Sequence, residues 1–311
     1  MPRPSAPPDG AADHFTLGVL YVAAAGILYG TLVILGKLAY ATGIAPLPLL
    51  VLRYGLAAAL MWAALAALRP DLLRLKPRAR ALGLSLGLLY ALQSFVYFWG
   101  FQNVDAAVTG ILFNTFPLWV ALFAAAFLKE RITAVVAAAL GLGVLGTALT
   151  AGVWTGAFDA WATVLILSAA FGYSTYVVAA RKTAADLPSE AVAAHVFLGS
   201  AAGFLGAALV FGGLPTHVAL DSLMYAAALA VLATLLPILL FLKGLKIIGA
   251  SRAGVIGTLE PLVTVLLAWA VLGSTLGPLQ ALGGALVLAA SFLVHRSGLR
   301  EREAASEVPR E

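Results

Sequence analysis

Apolar residues fill the chain in runs of about 20 positions, and short segments with turn residues such as Arg69-Pro70 and Gly212-Gly213 separate them. A helix rises about 1.5 Å per residue, so one run can cross roughly 30 Å of hydrocarbon. The runs lack the short alternation of outer-membrane β-strands. The pattern predicts an all-α membrane protein with ten transmembrane helices. The predicted spans are 17–40, 46–68, 81–101, 105–128, 132–151, 160–181, 189–212, 221–243, 249–272 and 277–295.

Two of these runs share a proline at the same register. Pro117 and Pro261 are 144 residues apart, and at the same offset Gly110 matches Gly254. The chain is therefore predicted to contain two copies of a five-helix unit. Because five is odd, the second copy would cross the membrane in the opposite direction. Inverted repeats of this kind are typical of secondary transporters, in which two halves rock about a site near the bilayer midplane.

Charge supports the inversion and sets the predicted orientation. Lys129 and Arg131 follow the first proline run, whereas Gly273, Ser274 and Thr275 follow the second. Cytoplasmic loops of membrane proteins carry an excess of Lys and Arg. With the N-terminus inside, all 19 such residues except Lys37 and Arg53 lie on the cytoplasmic side. We therefore predict a multi-pass protein of the cytoplasmic (inner) membrane with both termini in the cytoplasm.

The predicted organisation has four parts. Residues 1–16 are predicted to be a disordered cytoplasmic tail, because they hold four prolines and lack the apolar core of a secretory signal. Residues 17–151 form the first five-helix repeat, and residues 160–295 form the second, inverted one. Residues 296–311 form a cytoplasmic tail.

Composition narrows the classes of protein further. The chain is 62% hydrophobic and 11% charged, with a mean hydropathy of +1.00. It contains no cysteine, which excludes disulfides, thiolate nucleophiles and cysteine metal sites. Its basic residues are dispersed among short loops, so the pI of about 9.6 does not indicate nucleic-acid binding. We expect no metal, no cofactor and no nucleic-acid partner. The expected partners are the lipid bilayer and a small-molecule substrate.

The glycine motifs of two spans bear on the oligomeric state. Gly83-x-x-x-Gly87 and Gly199-x-x-x-Gly203 suit a close approach of helices. In a chain so rich in glycine and alanine, we interpret them as packing within the bundle. The protein is accordingly expected to be a monomer.

The two prolines also predict local structure. A proline removes one backbone donor and frees the carbonyl four residues earlier, which is Phe113 or Gly257 here. We predict bends at these positions. Proline tolerated for packing alone would also fit, but the paired occurrence favours Pro117 and Pro261 as hinge residues.

Glu260 is the one acidic residue near the middle of a predicted span. A carboxylate at the bilayer centre costs at least ~2.5 kcal/mol, so it should face the bundle interior. It can bind a substrate ammonium group or carry a proton. It can equally satisfy backbone groups or a neighbouring helix, and the sequence leaves these roles open.

The third span carries a polar face. Tyr90, Gln93, Ser94 and Tyr97 follow the i, i+3, i+4, i+7 spacing of one helical face. An inward stripe of aromatic and amide groups suits amino-acid-like solutes, and hydrogen bonding between helices explains it equally well. By the same reasoning, the further candidates for substrate contact are Asn114, Tyr173 and Tyr176.

Two basic side chains inside spans are also candidates. His195 lies in the seventh span, where it can titrate near neutral pH or simply pack. Arg53 lies in the second span and can attract a carboxylate, act as a gate or form a structural pair. The sequence does not separate these possibilities.

Several segments resemble the EamA domains of the drug/metabolite transporter superfamily, over about residues 17–295. The resemblance implies ten helices around a central cavity and, most often, export of amino acids or related metabolites. It is strongest to bacterial amino-acid exporters, including those for aromatic amino acids. Many members have Gly-Glu where this chain has Gly273-Ser274. The similar segments are AAVTGILFNTFPLWVALFAAAFLKERIT, ASRAGVIGTLEPLVTVLLAWAVLGSTLGPLQALGGALVL, Tyr29-Gly30…Lys37 and Leu52-Arg53-Tyr54.

The predicted function is a secondary transporter that exports amino acids or related small metabolites by alternating access. The alternative is a broad-specificity efflux carrier for lipophilic cations or drugs, with Glu260 as the anionic contact. A membrane-embedded enzyme is a remote third possibility. It would require converging nucleophile, base or metal ligands, which a chain with no cysteine and one histidine in the interior of a span does not suggest.

Overall fold

The computed structural model describes residues 11–128, 134–151, 159–183, 187–214, 218–257 and 259–306. Within these ranges all regular secondary structure is helical. A 3-10 helix spans Pro70–Leu73, and a π turn spans Val231–Leu235. The α-helices are α1 (Ala11–Gly30), α2 (Leu32–Ala41), α3 (Pro46–Leu68), α4 (Pro77–Gly100), α5 (Ala106–Phe113), α6 (Phe116–Leu128), α7 (Ala134–Thr150), α8 (Ala160–Thr183), α9 (Ser189–Phe211), α10 (Leu220–Ala230), α11 (Leu236–Gly257), α12 (Leu259–Leu272) and α13 (Pro278–Ser306).

Seven helical segments of the described chain are long and apolar enough to cross a membrane. Three shorter apolar helices accompany them. The prediction of an all-α, multi-pass membrane protein is confirmed. The seven segments are Phe15–Ala41, Pro46–Leu68, Pro77–Gly100, Ala106–Phe123, Ala160–Ala180, Ser189–Phe211 and Leu220–Ile248, and the shorter helices are Ala134–Thr150, Leu259–Leu272 and Pro278–Leu293.

The helical structure is interrupted at the first of the two predicted proline positions. α5 ends at Phe113, and Pro117 is the second residue of α6. The second predicted bend, at Gly257 before Pro261, adjoins residue 258, which lies outside the described residues. Proline suits the first turn of a helix because the N–H groups there have no acceptor within the helix. The predicted bend at residue 113 is confirmed, and the role of the two prolines as hinges stays a prediction.

Side-chain hydroxyls satisfy backbone carbonyls at the α5–α6 break. Ser291 of α13 donates a hydrogen bond to the Asn114 carbonyl at 2.9 Å. Ser174 of α8 shares its one hydroxyl proton between the Phe116 carbonyl at 2.9 Å and the Ala170 carbonyl of its own helix at 2.7 Å. Lipid offers a free carbonyl no partner, so these hydroxyls allow a broken helix to exist at membrane depth.

Helical structure extends beyond the prediction in three places. α1 begins at Ala11, so the tail predicted to be disordered over 1–16 is helical in its last six residues. α13 continues through the predicted tail to Ser306, because residues 300–305 are mostly strong helix formers. The turn expected between residues 243 and 249 does not end α11, which contains no proline after its first turn.

Glycines allow the closest helix contacts. A Cβ added at Gly87 of α4 would lie 2.8 Å from the Cα of Gly199 in α9. Gly146 of α7 and Gly283 of α13 meet equally closely, with a Cβ on Gly146 2.7 Å from the Gly283 carbonyl oxygen. The interpretation of the glycine motifs as packing within the bundle is confirmed.

Buried apolar side chains are continuous at one end of the bundle and divided at the other. At the end holding segments 42–45, 101–105 and 273–277, one cluster joins α2, α3, α4, α5, α8, α9, α10 and α12. We call this the continuous end. At the opposite end, which holds residues 69–76, separate clusters of the described chain join α3 with α9, α10 and the π turn, α1 with α11, and α6 with α7 and α13. We call this the divided end.

Candidate functional site

A cavity of about 100 Å³ lies inside the bundle. A single water needs roughly 10–15 Å³ on this scale, so the cavity can hold more than one water or part of a solute. Its wall draws on both halves of the chain. The lining residues are Tyr29, Leu32, Val33, Arg53, Tyr54, Tyr90, Gln93, Ser94, Tyr97, Phe98, Gly110, Phe113, Asn114, Phe116, Tyr173, Ala233, Glu260 and Thr264.

Most of the candidates from the sequence lie on this wall. The polar face of α4 points into the cavity along its length, and two residues of the other half oppose it. Their role in substrate binding stays a prediction. The candidates that line the cavity are Arg53, Tyr90, Gln93, Ser94, Tyr97, Asn114, Tyr173 and Glu260.

Four candidates are not part of the lining. The ring of Tyr176 packs behind the wall, 5.0 Å from the ring of Tyr90. The hinge candidates Pro117 and Pro261 are also outside it. His195 is fully buried elsewhere, at the divided end.

His195 packs where α9 meets α3 and α4. Its Nδ1 lies 2.7 Å from the Ala191 carbonyl oxygen, and its ring centroid lies 5.3 Å from that of Trp62. A Cβ added at Gly83 would lie 2.6 Å from the His195 Cβ, so glycine is required opposite the ring. This placement fits a packing histidine and does not support contact with substrate.

The sequence missed several lining residues that the repeat could have identified. Tyr29 stands 144 positions before Tyr173, and Phe116 stands 144 positions before Glu260. All four line the cavity. Equivalent positions of the two halves therefore meet at one site, and applying the offset to each candidate would have added Tyr29 and Phe116.

Aromatic rings form much of the wall. The ring of Tyr173 contacts those of Phe116 at 5.0 Å and Tyr90 at 6.3 Å, and Tyr54 lies 6.1 Å from Tyr90. These distances between ring centroids lie within the range of favourable aromatic pairs. The wall can therefore accept a flat apolar group, or a cation placed over the face of a ring.

A short hydrogen-bonded chain fixes the polar face of α4. The hydroxyls of Tyr54 and Ser94 lie 2.9 Å apart, and Gln93 Nε2 donates to Ser94 Oγ at 3.0 Å. Gln93 Oε1 is buried and has no hydrogen-bond partner within the described chain. Because an unpaired buried acceptor is costly, this oxygen is available to a donor on a bound solute.

Arg53 brings a positive charge to the wall. Its side chain is only 2% exposed, and its Nε donates to Thr234 Oγ1 at 2.9 Å. Its Nη2 donates to the Ala233 carbonyl oxygen at 3.3 Å. Across the described residues no carboxylate lies within ion-pair distance of Arg53. The guanidinium is held in place by uncharged groups.

Glu260 brings the opposite charge. It is the second residue of α12 and lines the cavity. Within the described chain its carboxylate has no hydrogen-bond or ion-pair partner, and it does not pair with Arg53. The described residues also contain no group of three or more histidine or acidic side chains that could hold a metal ion. The cavity thus presents separated charges of both signs on an aromatic wall.

The fold and this central cavity are those of a membrane transporter, and comparison with known proteins establishes the family. The model of the EamA-like transporter family matches residues 16–152 and again residues 160–296. The chain belongs to this family. It is therefore a transporter and not an enzyme.

Individual relatives agree with the family. The chain is 25% identical over 281 residues to the uncharacterized transporter YcbK of Bacillus subtilis, covering 86% of this chain and 88% of the relative. An uncharacterized transporter of Archaeoglobus fulgidus is 28% identical over 231 residues, 71% of this chain and 78% of its own length. A solved crystal structure shares the fold, with a TM-score of 0.66, 22% identity and coverage of 92% of this chain and 98% of the other.

Proposed function

We propose that this transporter is a secondary carrier that exports amino acids or related small metabolites across the cytoplasmic membrane. The observation that carries the proposal is the placement of Arg53 and Glu260 on one aromatic-lined cavity without pairing. An amino acid carries a carboxylate and an ammonium group, so it can neutralise the charges of both Arg53 and Glu260. Its side chain can then rest on the aromatic wall.

The proposed architecture is ten transmembrane helices in two inverted repeats, at 17–151 and 160–295, with both termini in the cytoplasm. The distribution of Lys and Arg supports this orientation. The pairing of Tyr29 with Tyr173 and of Phe116 with Glu260 around one cavity supports two related halves that share a site.

The proposed mechanism is alternating access around the cavity. The helix interruption at Pro117, and the equivalent position of Pro261 in the second repeat, support paired points at which the halves can bend. The division of the core at one end of the bundle supports a state that opens toward that end, which on the proposed orientation is the cytoplasmic one. A solute would enter there and leave after the continuous end has separated.

An efflux carrier for lipophilic cations is the second candidate. Glu260 and the surrounding tyrosine rings favour it, because carboxylates and aromatic faces both attract cations. Arg53 on the same wall opposes it, since a buried guanidinium repels a second positive charge.

Transport by the purified full chain in proteoliposomes tests the proposal. We expect uptake of radiolabelled L-phenylalanine and L-leucine above that of empty liposomes, and no comparable movement of a cationic dye. Dye movement without amino-acid movement would establish the second candidate instead. Movement of neither would contradict both.

A further inference from the structure

The neighbourhood of Arg53 is built in a specific way. The guanidinium carbon lies 4.8 Å from the ring centroid of Tyr54 and 5.1 Å from that of Phe98. Thr234 Oγ1 accepts a hydrogen bond from Nε and donates its own proton to the Leu229 carbonyl oxygen at 2.8 Å. The planar head is thus fixed by two rings and the π turn after α10.

A proline explains why the π turn can hold an arginine. In an α-helix the Ala233 carbonyl would accept from the N–H of residue 237, but that residue is Pro237 and has no N–H. Arg53 Nη2 supplies the missing donor. Proline and π turn together therefore create a neutral anchor for the guanidinium.

This anchor leaves a charge without a counterion. A guanidinium has five N–H donors, and the anchor uses two of them. Burying an arginine without an acidic partner is costly, and charged residues inside membranes usually mark substrate or ion pathways. Arg53 lies on the wall of a cavity that can hold part of a solute, and three of its N–H donors are not used by the anchor.

We propose that Arg53 is a carboxylate-binding subsite, completed by the solute itself. The inference rests on the proposed function and narrows it to solutes with a carboxylate. The planar fork of a guanidinium matches the two oxygens of a carboxylate, and such charge-assisted hydrogen bonds are among the strongest in proteins. Bound there, the anion replaces the missing counterion.

The position of Glu260 favours a solute with a positive charge in addition to its carboxylate. Carboxylate and guanidinium do not pair with each other, and both line one cavity whose wall also carries tyrosine rings. A solute that places its carboxylate on Arg53 directs the rest of its body over these rings, toward Glu260. The favoured class is a monocarboxylate with a protonated amine and an apolar or aromatic body.

Three probes of similar shape distinguish the contribution of the solute's carboxylate from that of its ammonium group. L-Phenylalanine carries both, 3-phenylpropionate carries only the carboxylate, and phenethylamine carries only the ammonium. Affinity would be measured by calorimetry on the purified full chain in detergent, and uptake in proteoliposomes. We expect Arg53→Gln to weaken binding of L-phenylalanine and 3-phenylpropionate about tenfold to a hundredfold, and to leave phenethylamine unchanged or tighter.

Two further variants keep the test decisive. Arg53→Lys retains the charge and loses the planar fork, so the affinity for the two carboxylates should fall by less than in Arg53→Gln. Lys37→Gln is the matched control, because Lys37 is bound to the Gln102 carbonyl at 2.8 Å and is not part of the cavity wall. It should leave all three affinities unchanged.

The possible failures are distinguishable. If the wild-type chain takes up all three probes alike, or Arg53→Gln weakens all three by one factor, the subsite is refuted while transport stands. If the wild-type chain takes up none of them and no other amino acid, the proposed function itself fails, and the subsite with it.

Discussion

Gly87 of α4 and Gly199 of α9 face each other at a crossing where neither can carry a side chain. A Cβ on Gly199 would lie 3.1 Å from the Cα of Gly87 and 3.0 Å from the Cα of Leu84. The backbones of α4 and α9 are in direct contact, and Ser200 Oγ donates a hydrogen bond to the Gly87 carbonyl at 2.9 Å. This crossing fixes the helix that carries the polar face of the cavity.

The crossing predicts that replacing Gly199 lowers the stability of the bundle, whereas replacing Gly206 on the same helix does not. Gly199→Leu should lower the stability of the bundle by about 1–3 kcal/mol or more, because the added carbons have no space. Gly206→Leu is the matched control, since nothing lies within 4 Å of a Cβ there. Thermal unfolding followed by size-exclusion chromatography measures both. Equal melting temperatures for the two variants would contradict the tight crossing.

Glu260 offers a test of the charged cavity. Glu260→Gln should lower amino-acid transport about tenfold, because a charge-assisted contact to the ammonium group is lost while the shape is kept. Glu190→Gln is the control. Glu190 pairs with Lys246 away from the cavity, and partly exposed pairs of this kind contribute little. Initial uptake rates at equal protein density provide the measurement, and unchanged rates for Glu260→Gln would remove its carboxylate from the solute path.

The inverted architecture predicts opposite sidedness for two equivalent segments. The chain has no cysteine, so a single introduced one can be labelled without background. Lys129→Cys and Thr275→Cys lie after the two proline runs. An impermeant maleimide applied to intact cells should label residue 275 and should label residue 129 only after the membrane is opened. Labelling of both from the same side would rule out inverted repeats.

The proline at the α5–α6 break predicts a kinetic effect. Pro117→Ala should slow transport several-fold with little change in solute affinity, because alanine permits α6 to extend backward and stiffens the proposed hinge. Pro278→Ala at the start of α13 is the control, since that helix start is not part of the cavity. Uptake rates and calorimetric affinities, measured together, separate the two effects. A loss of affinity at an unchanged rate would assign Pro117 to binding instead.

The division of the core predicts which side reaches the cavity. Ser94→Cys is nearly isosteric and lies on the wall. An impermeant thiol reagent should modify it from the side of the divided end, which holds residues 69–76. Saturating L-phenylalanine should slow the reaction by occupying the cavity. Modification only from the opposite side would show that the continuous end opens in the resting protein.

The features that depended on local chemistry were predictable from the sequence. The break between α5 and α6 follows from Pro117, since a missing N–H acts within one turn of the helix. The face of α4 that lines the cavity follows from helical spacing, because polar groups avoid lipid.

The features that depended on which helices are neighbours were not predictable. His195 shares a predicted span with several small residues, and only the approach of Gly83 and Trp62 places it away from the cavity. The partner of Arg53 is a backbone carbonyl in the other half of the chain, exposed by a proline about 180 positions later. Neither the hydrophobic period of the sequence nor its composition indicates which backbone carbonyl Arg53 will contact.

The divided end also links the protein to its lipid. Helix pairs that do not share a core are held together partly by the bilayer around them, and a change in hydrocarbon thickness costs fractions of a kcal/mol per Å of mismatch. The energy of mismatch should act differently on the two ends of the bundle, because the core is continuous at one end and divided at the other. Acyl-chain length therefore becomes a control on turnover, and the same purified carrier should work at different speeds in thin and thick membranes.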